Sequence, residues 1–247
     1  MNYDPLAELY DLQYAHYRDD LAFYTRLADD YGGPVLELGA GTGRVAATLA
    51  RAGHEVVALE PSSAMIERGQ QRLRDAGVTT VAYHQGDMRS ARLGRTFPLV
   101  TAPFNTLMHL YTLADQDAAL RTVREHLGPG GRFAFDLYTP NFGELGVLRL
   151  EPEWAHVGGR RGDLFLLQTH DPDTQTLTSH YFLDQADEHG VLKRRRFRLT
   201  QRYFYRFELE RLLAQHGFTQ PQLFGSFERE RFRAAAPHLV VVASVAT

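Results

Sequence analysis

The 247-residue chain contains no cysteine, which excludes disulfide bonds, thiolate metal ligands and a cysteine nucleophile. It contains a single lysine, Lys193, so that its positive charge is almost entirely arginine. No window approaches the ~18 consecutive apolar residues that a membrane span requires. The first residues also lack the basic and apolar regions of a secretion signal. We therefore expect a soluble, cytoplasmic protein with no membrane partner.

The chain also lacks an excess of positive charge. Its formal net charge is −3 at pH 7, which gives no general attraction to nucleic acid. The one basic cluster is the run Lys193–Arg198 (KRRRFR), and on a strand its charges would alternate between two faces. That alternation favours a solvated surface or a contact in a homodimer over a nucleic-acid site. No HExxH sequence or other metal-ligand motif occurs, so we expect no metal.

Short runs rich in β-branched and aromatic residues dominate the first 140 residues and alternate with segments of helical length. This alternation predicts βαβ units, a mostly parallel sheet with helices on both faces, and a ligand site at the carboxyl ends of the strands. An amphipathic helical segment precedes the first strand. The strands are expected at 34–38, 54–60, 79–85, 97–103 and 132–138, and the helices at 44–52, 62–76 and 114–127.

The pattern changes after about residue 150, where three strand-like segments are separated by turn sequences. We expect antiparallel hairpins there, followed by a helix at 207–216 and two further strands near 218–227 and 238–246. The sequence thus divides into a helical cap (1–32), an α/β core (33–150 and 206–247) and an antiparallel β insertion after strand 5 (151–205). The insertion is expected to face the acceptor or an oligomer contact.

The stretch VLELGAGTGR (35–44) places Gly39, Gly41 and Gly43 directly after the first strand. Glycine permits positive φ and lets a ligand approach the backbone closely. The dinucleotide fingerprint requires the order G-x-G-x-x-G. Here the third glycine comes one residue early, and Arg44 occupies a position that needs a small residue for close helix–strand packing.

With Glu37 ahead of the glycines, this stretch resembles motif I (E/D-x-G-x-G-x-G) of the class I S-adenosylmethionine-dependent methyltransferases. The turn Gly128–Gly131 after Leu127 matches the L-x-P-G-G turn of the same family. The resemblance implies a Rossmann-like, doubly wound seven-stranded sheet, mostly parallel with an antiparallel last strand. It also implies S-adenosylmethionine as donor and S-adenosylhomocysteine as product, with the acid helping to hold the ammonium of the methionine part.

Further donor contacts follow from the same resemblance. Glu60 at the end of strand 2 would accept from the ribose hydroxyls, and Met65 would pack on adenine. Asp87 would accept from the adenine amino group, with Met88 beside the ring. Alternatives stay open: Glu60 as an exposed strand-end acid, Met65 as a core residue, and Asp87 as the cap of a short helix. The full expected donor set is Tyr14, Glu37, Gly39, Ala40, Gly41, Gly43, Glu60, Pro61, Met65, Asp87, Met88 and Phe104.

The segment after strand 4, Ala102–His109, lacks the D/N-P-P-Y/F/W motif of the enzymes that methylate DNA bases. The stretches ELYD (8–11), HQGDMR (84–89) and LGR-x-F (93–97) are similar to small-molecule N-methyltransferases, nearest to those acting on nucleotide-linked aminosugars, with glycine-type enzymes sharing the plan. In the aminosugar group a tyrosine of the N-terminal segment folds over the donor, which points to Tyr14. His109, with a pKa near neutrality, is the candidate base, and a helix-surface or hydrogen-bonded structural histidine is the open alternative. Tyr14 is the second catalytic candidate. The acceptor side is expected to comprise Asn105, His109, Tyr138 and Asn141.

The sequence therefore predicts an enzyme that methylates a small-molecule amine. A methyltransferase acting on RNA or protein is a second reading. A third hypothesis is a nicotinamide oxidoreductase or another nucleotide-binding Rossmann protein. Glu37 and Arg44 disfavour it. A donor-binding protein without turnover is a fourth, because a glycine turn indicates binding and not catalysis.

Overall fold

A computed structural model describes residues 17–151 and 162–245. The strands of its main sheet are β1 (Val35–Leu38), β2 (Val56–Glu60), β3 (Val81–Gln85), β4 (Phe97–Ala102), β5 (Leu127–Tyr138), β10 (Phe218–Phe224) and β11 (His238–Val245). These seven strands have the spatial order β10-β11-β5-β4-β1-β2-β3.

Strand directions in the main sheet match the expected class. The pairs β1–β2, β1–β4, β2–β3 and β4–β5 are parallel, whereas β11 runs antiparallel to both β5 and β10. Every residue of β1 and β2 is buried, as expected for central strands covered by helices on both faces. The prediction of a mostly parallel seven-stranded sheet with an antiparallel last strand is confirmed.

Five α-helices lie in the described part of the chain. Ser62 and Thr112 cap two of them, each accepting a hydrogen bond through its hydroxyl from a backbone N–H of the first turn. None of the helices in the described ranges is both long and apolar enough to span a bilayer. The helices are α1 (Leu21–Tyr31), α2 (Arg44–Arg51), α3 (Ser63–Asp75), α4 (Leu113–His126) and α5 (Arg206–Gln215).

A second, antiparallel sheet has the order β6-β7-β8-β9. It begins earlier than expected, because residues 148–151 pair with residues 164–167 as an additional edge strand. One face carries an apolar cluster that is separate from the main core, formed by Leu164, Leu166, Tyr181 and Leu183. Its strands are β6 (Leu148–Glu151), β7 (Gly162–Asp171), β8 (Thr176–Ala186) and β9 (Leu192–Arg202).

The basic run falls on β9, which forms the other edge of the second sheet. Arg194 stacks over the rings of Phe165 and Phe182. Its Nε and Nη2 each donate to a carboxylate oxygen of Asp184 at 2.6 Å. Lysine and arginine on an edge strand oppose pairing with the same edge of a second copy. The charges therefore cover aromatic side chains and protect an open sheet edge.

The helix α1 fixes the described end of the N-terminal segment against the main sheet. Phe23 and Tyr24 are fully buried, and Phe23 packs edge-on against Phe227. The chain enters this helix through Tyr17, whose ring lies 5.2 Å from that of Phe104 in the loop after β4. Tyr14, expected to fold over the donor, lies outside the described residues.

Candidate functional site

A cavity opens at the carboxyl ends of β1, β2, β3 and β4. The glycine turn forms its floor, the turn after β3 forms one wall, and the segment after β4 forms the other. Its lining residues are Gly39, Gly41, Glu60, Pro61, Met65, Gly86, Asp87, Met88, Arg89, Phe104, Thr106, His109, Leu110 and Tyr111. A parallel sheet with this strand order places ligands at this edge.

Gly43 and Gly41 of the turn serve different purposes. A side chain on Gly43 would lie 2.5 Å from the hydroxyl of Tyr83, and one on Gly69 of α3 would lie 2.1 Å from it. That hydroxyl donates to the carbonyl of Gly41 at 3.1 Å, so two glycines make room for the tyrosine that supports the turn. A Cβ on Gly41 itself would meet nothing within 4 Å. Gly41 lines the cavity and leaves its backbone open to a ligand.

Glu60 is held rigidly at the cavity although it is 95% buried (5% exposed). Its Oε2 accepts from the N–H of Gly41 at 2.9 Å, and its Oε1 accepts from the N–H of Ser62 at 2.9 Å. Each carboxylate oxygen has room for more than one hydrogen bond. The carboxylate therefore connects the glycine turn to the start of α3 and can accept further donors from a ligand.

Glu37 lies behind the glycine turn and is 2% exposed. Its Oε2 has no hydrogen-bond partner within the described ranges. Burial raises the pKa of this carboxyl to about 8, while Arg44 lowers it and Asp20 and Glu60 raise it further. An orphaned buried carboxyl oxygen is costly unless a partner arrives, so Glu37 is suited to a cationic ligand group.

Arg44, at the start of α2, forms a buried ion pair with Asp20. Its two terminal nitrogens lie 2.6 Å from the two carboxylate oxygens, and Asp20 is fully buried. The guanidinium lies 5.2 Å from the ring centroids of both Tyr17 and Phe104, within cation–π range. Arg44 therefore fastens the described start of the N-terminal segment to the glycine turn and to the loop after β4.

The loop after β4 contains two consecutive non-glycine residues with positive φ, Phe104 at 57° and Asn105 at 63°. Such backbone strain persists where neighbouring groups hold it. Asp136 on β5 accepts a hydrogen bond from the N–H of Phe104 through its side-chain Oδ1 at 2.8 Å. Its backbone carbonyl accepts from the N–H of Asn105 at 3.2 Å. The hydroxyl of Tyr24 donates to the same Oδ1 at 2.6 Å, and burial raises the pKa of Asp136 to about 6.

On the opposite wall, Asp87 and Arg89 form a close pair. The backbone N–H and the Nε of Arg89 donate to Oδ1 of Asp87 at 2.8 and 2.9 Å, and Nη2 donates to Oδ2. The hydrogen bonds from Arg89 lower the pKa of the Asp87 carboxyl, so it stays ionised. A turn over 88–90 follows, not the short helix that the sequence suggested as an alternative.

His109 and Tyr111 end the segment after β4 and face the cavity. Burial lowers the pKa of His109 to about 4, which corrects the near-neutral value expected from the sequence. The imidazole is therefore neutral at physiological pH. Tyr111 donates its hydroxyl to the carbonyl of Thr200 on β9 at 2.6 Å and thereby connects the cavity wall to the second sheet.

The structure brings together most of the expected donor residues but not all of the acceptor residues. Glu37 and Ala40 line a small cleft behind the turn. Gly43 does not line the cavity and instead makes room for Tyr83. Asn105 instead holds the loop by accepting from the N–H of Tyr138, and Asn141 caps a 3-10 turn at Phe142–Glu144. Neither these two nor Tyr138 lines the cavity. The lining residues that sequence reasoning missed are Gly86, Arg89, Thr106, Leu110 and Tyr111.

The described ranges contain no group of three or more histidine, aspartate and glutamate side chains arranged to hold a metal ion. The two carboxylates that line the cavity are instead paired, Glu60 with backbone N–H groups and Asp87 with Arg89. The resulting site has acceptors on its floor and on the wall after β3.

The central part of the chain is similar to known proteins. Residues 35–131 match the family model of a methyltransferase domain, which confirms the resemblance drawn from the glycine turn. A dTDP-3-amino-3,4,6-trideoxy-α-D-glucopyranose N,N-dimethyltransferase from Streptomyces venezuelae is 33% identical over 132 residues, covering 51% of this chain and 54% of that protein. The alignment thus spans about half the length of that curated relative.

Two solved structures share the fold over nearly the whole chain. The CcbJ methyltransferase of Streptomyces caelestis is 28% identical with a TM-score of 0.79, covering 94% of this chain and 92% of its own. The glycopeptide N-methyltransferase MtfA in complex with S-adenosylhomocysteine is 26% identical with a TM-score of 0.60, covering 93% and 89%. The Rossmann-like methyltransferase fold is therefore confirmed, including the second sheet that lies beyond the family match.

Proposed function

We propose that this chain, whose residues 35–131 belong to the methyltransferase domain family, is an S-adenosylmethionine-dependent enzyme that methylates an amino group of a small molecule, with amino sugars as the acceptor class. The main support for this donor is Oε2 of Glu37, a buried carboxyl oxygen behind the glycine turn that has no hydrogen-bond partner among the described residues. The acceptor class is supported by the relative from Streptomyces venezuelae, which is named for an aminosugar.

The buried acids around the glycine turn favour a cation over a dinucleotide. Glu37 and Glu60 are both buried there, and Arg44 is already engaged by Asp20. S-adenosylmethionine carries a sulfonium and an ammonium, whereas nicotinamide cofactors bring an anionic pyrophosphate to the same turn. Since buried acids without a positive partner are costly, the site favours the methyl donor.

The residues present fit the donor part by part. Glu37 would attract the ammonium, Glu60 would accept from the ribose hydroxyls, and Asp87 would accept from the amino group of adenine. Met65 and Met88 also line the cavity and offer polarisable packing for the base. When bound, S-adenosylmethionine supplies a methyl group that its sulfonium has already activated, so the chain contributes mainly positioning and exclusion of water.

His109 lines the same cavity as a neutral imidazole, because burial holds its pKa near 4. A group this weakly basic does not retain a proton at physiological pH. We therefore assign His109 to accepting a hydrogen bond from the acceptor amine, so that the lone pair of the amine points towards the methyl group. The proton of the amine is then lost to solvent, and His109 acts by orientation.

Calorimetric titration of the full chain with S-adenosylhomocysteine and, separately, with NADH tests the donor. We expect micromolar binding of S-adenosylhomocysteine and none of NADH. Glu60→Ala should weaken binding at least tenfold, because a charged hydrogen-bond acceptor and the support of the glycine turn are both lost. Glu55→Ala is the matched control, since Glu55 is exposed on the far side and pairs with Arg95. Binding of NADH alone, or equal losses in both variants, would contradict the proposed donor.

A screen for release of S-adenosylhomocysteine tests the acceptor. Nucleotide-linked amino sugars should be methylated, and the same sugars with a hydroxyl in place of the amine should be inert. Turnover on RNA or on unfolded protein, with none on small amines, would favour the macromolecular alternative. Donor binding without turnover on any of these acceptors would favour a binding protein.

A further inference from the structure

Arg89 connects the two walls of the cavity, and no expectation from the sequence assigned it a role. Its Nε and Nη2 hold Asp87 beside it, and its Nη1 donates to Oδ1 of Asp115 at 2.7 Å. Asp115 lies in the first turn of α4, where its Oδ2 accepts from the hydroxyl of Thr112 at 2.8 Å. The chain of contacts thus runs from the turn after β3 to the helix that follows the opposite wall.

We propose that Arg89 is a positioning residue which sets the selectivity of the cavity for a 6-aminopurine, acting through the carboxylate of Asp87. This inference rests on the proposed donor, and it concerns how the site recognises the adenine base of that donor. Its geometric basis is the bidentate contact with Asp87 together with the anchor on Asp115.

The hydrogen-bond capacity of Asp87 explains why one purine is favoured. A carboxylate has about four acceptor positions. Three N–H hydrogens of Arg89 donate to this carboxylate: the backbone N–H donates to Oδ1, Nη2 donates to Oδ2, and the one hydrogen of Nε is shared between Oδ1 at 2.9 Å and Oδ2 at 3.0 Å. Three hydrogens leave about one acceptor position of the carboxylate for a ligand. An amino group on the base can donate to it, whereas a carbonyl oxygen at the same place would face a carboxylate and be repelled.

The anchor on Asp115 explains why the orientation is maintained. Asp87 and Arg89 are exposed by 36% and 47% at their side chains, and exposed ion pairs contribute little to stability. Without the guanidinium, only the backbone N–H of residue 89 would hold the Asp87 carboxylate, through Oδ1, and Oδ2 could turn towards water. Arg89 therefore matters for the direction of an acceptor and much less for the stability of the fold.

The test compares S-adenosylhomocysteine with S-inosylhomocysteine, in which a carbonyl replaces the 6-amino group. The wild type should prefer the adenine ligand by about 10- to 100-fold in Kd, the range expected for one hydrogen bond to a charged group. Arg89→Met should lower this preference at least fivefold with an unchanged midpoint of urea unfolding. Arg92→Met is the matched control, because Arg92 forms an exposed pair with Glu125 at 3.0 Å and should keep the wild-type preference.

A double-mutant cycle separates action through Asp87 from direct contact between Arg89 and the base. In an Asp87→Ala background, adding Arg89→Met should change the preference by less than about twofold, since coupled residues are not additive. A full further loss in that background would overturn the role assigned to Arg89.

The outcomes distinguish this inference from the proposed function. A wild type that binds neither ligand would refute the donor itself. A wild type that binds both equally, or an Arg89→Met variant that keeps the full preference, would overturn the positioning role while leaving donor binding intact.

Discussion

Ligand binding at the glycine turn should release a proton, and the proton should come from Glu37. Burial raises the pKa of this carboxyl to about 8 in the unliganded structure. At pH 7 it is then about 90% protonated. A cationic amine brought next to it favours the ionised form, so each bound S-adenosylhomocysteine should release about 0.9 proton at pH 7 and about 0.1 at pH 9.

The same linkage gives the affinity a defined dependence on pH. Below the pKa of Glu37, ligand binding competes with the proton, so Kd should fall about ninefold between pH 6 and pH 7. Asp136, with a pKa of about 6, titrates in this range as well, and Glu37→Gln is therefore the essential control. The variant should release almost no proton and should lose most of the pH dependence.

Calorimetry in buffers that differ in ionisation enthalpy measures the released protons directly. The slope of the observed binding enthalpy against the buffer's ionisation enthalpy is the number of protons exchanged. A slope near zero for the wild type at pH 7 would refute the reasoning. A wild-type slope that survives unchanged in Glu37→Gln would also refute it, by assigning the proton to another group.

The free energy of unfolding should depend on pH in the opposite sense to ligand affinity. The folded state binds the Glu37 proton more tightly than the unfolded chain, whose pKa is near the ordinary value of 4.5. The free energy of unfolding should therefore fall as pH rises between about 4.5 and 8. From pH 5.5 to pH 8 this single group accounts for a loss of about 3 kcal/mol. Urea unfolding of the wild type and Glu37→Gln at the two pH values measures the difference, and equal pH dependence in both proteins would contradict the assignment.

Three further substitutions have definite expected results. Gly69→Ala should destabilise the protein by about 1–3 kcal/mol in urea unfolding, because its Cβ would lie 2.1 Å from the Tyr83 hydroxyl, although alanine ordinarily stabilises a helix interior; adding Tyr83→Phe should recover part of the loss. Asp20→Ala should cost about 3–5 kcal/mol in the same assay, because it removes the carboxylate from the buried Arg44 guanidinium; a loss below 1 kcal/mol would contradict this. His109→Asn should lower kcat but leave the shape of the pH–rate profile between pH 6 and 9 unchanged, since the imidazole is neutral throughout; loss of an ionisation from that profile would restore the general-base hypothesis.

The sequence predicted the main sheet well, because periodic apolar strands and helix caps are local signals. Strand β6 was missed because its alternation of apolar and polar residues covers only four positions (148–151). These residues become a strand only by pairing with residues 164–167. The floor of the cavity was predicted through the glycines and Glu60, which are close in sequence to the strands that position them. The contact by which Tyr83 supports the glycine turn was not predicted, because Tyr83 lies 42 residues from Gly41 in the sequence.

The acceptor wall shows the same limitation more strongly. Asn105 was expected to face a substrate, but its side chain holds the strained loop by accepting from the N–H of Tyr138. Tyr111 carried no motif, yet it lines the cavity and connects it to β9. Residue type and spacing cannot show whether a polar side chain faces a ligand or its own backbone, because that depends on how distant strands meet.

The buried acids should also make the site bind the donor and the product with different affinities. Methyl transfer would remove the positive charge from sulfur, so donor and product would differ by one charge in a cavity that Glu60 lines and behind which Glu37 is buried. Attraction between opposite charges in a buried site is stronger than in water. The acids should therefore bind the sulfonium donor more tightly than the neutral thioether product, and release of the product becomes easier once the methyl group has moved. Ammonium binding alone would hold both ligands equally, so the excess affinity for the donor is the part that the sulfonium contributes.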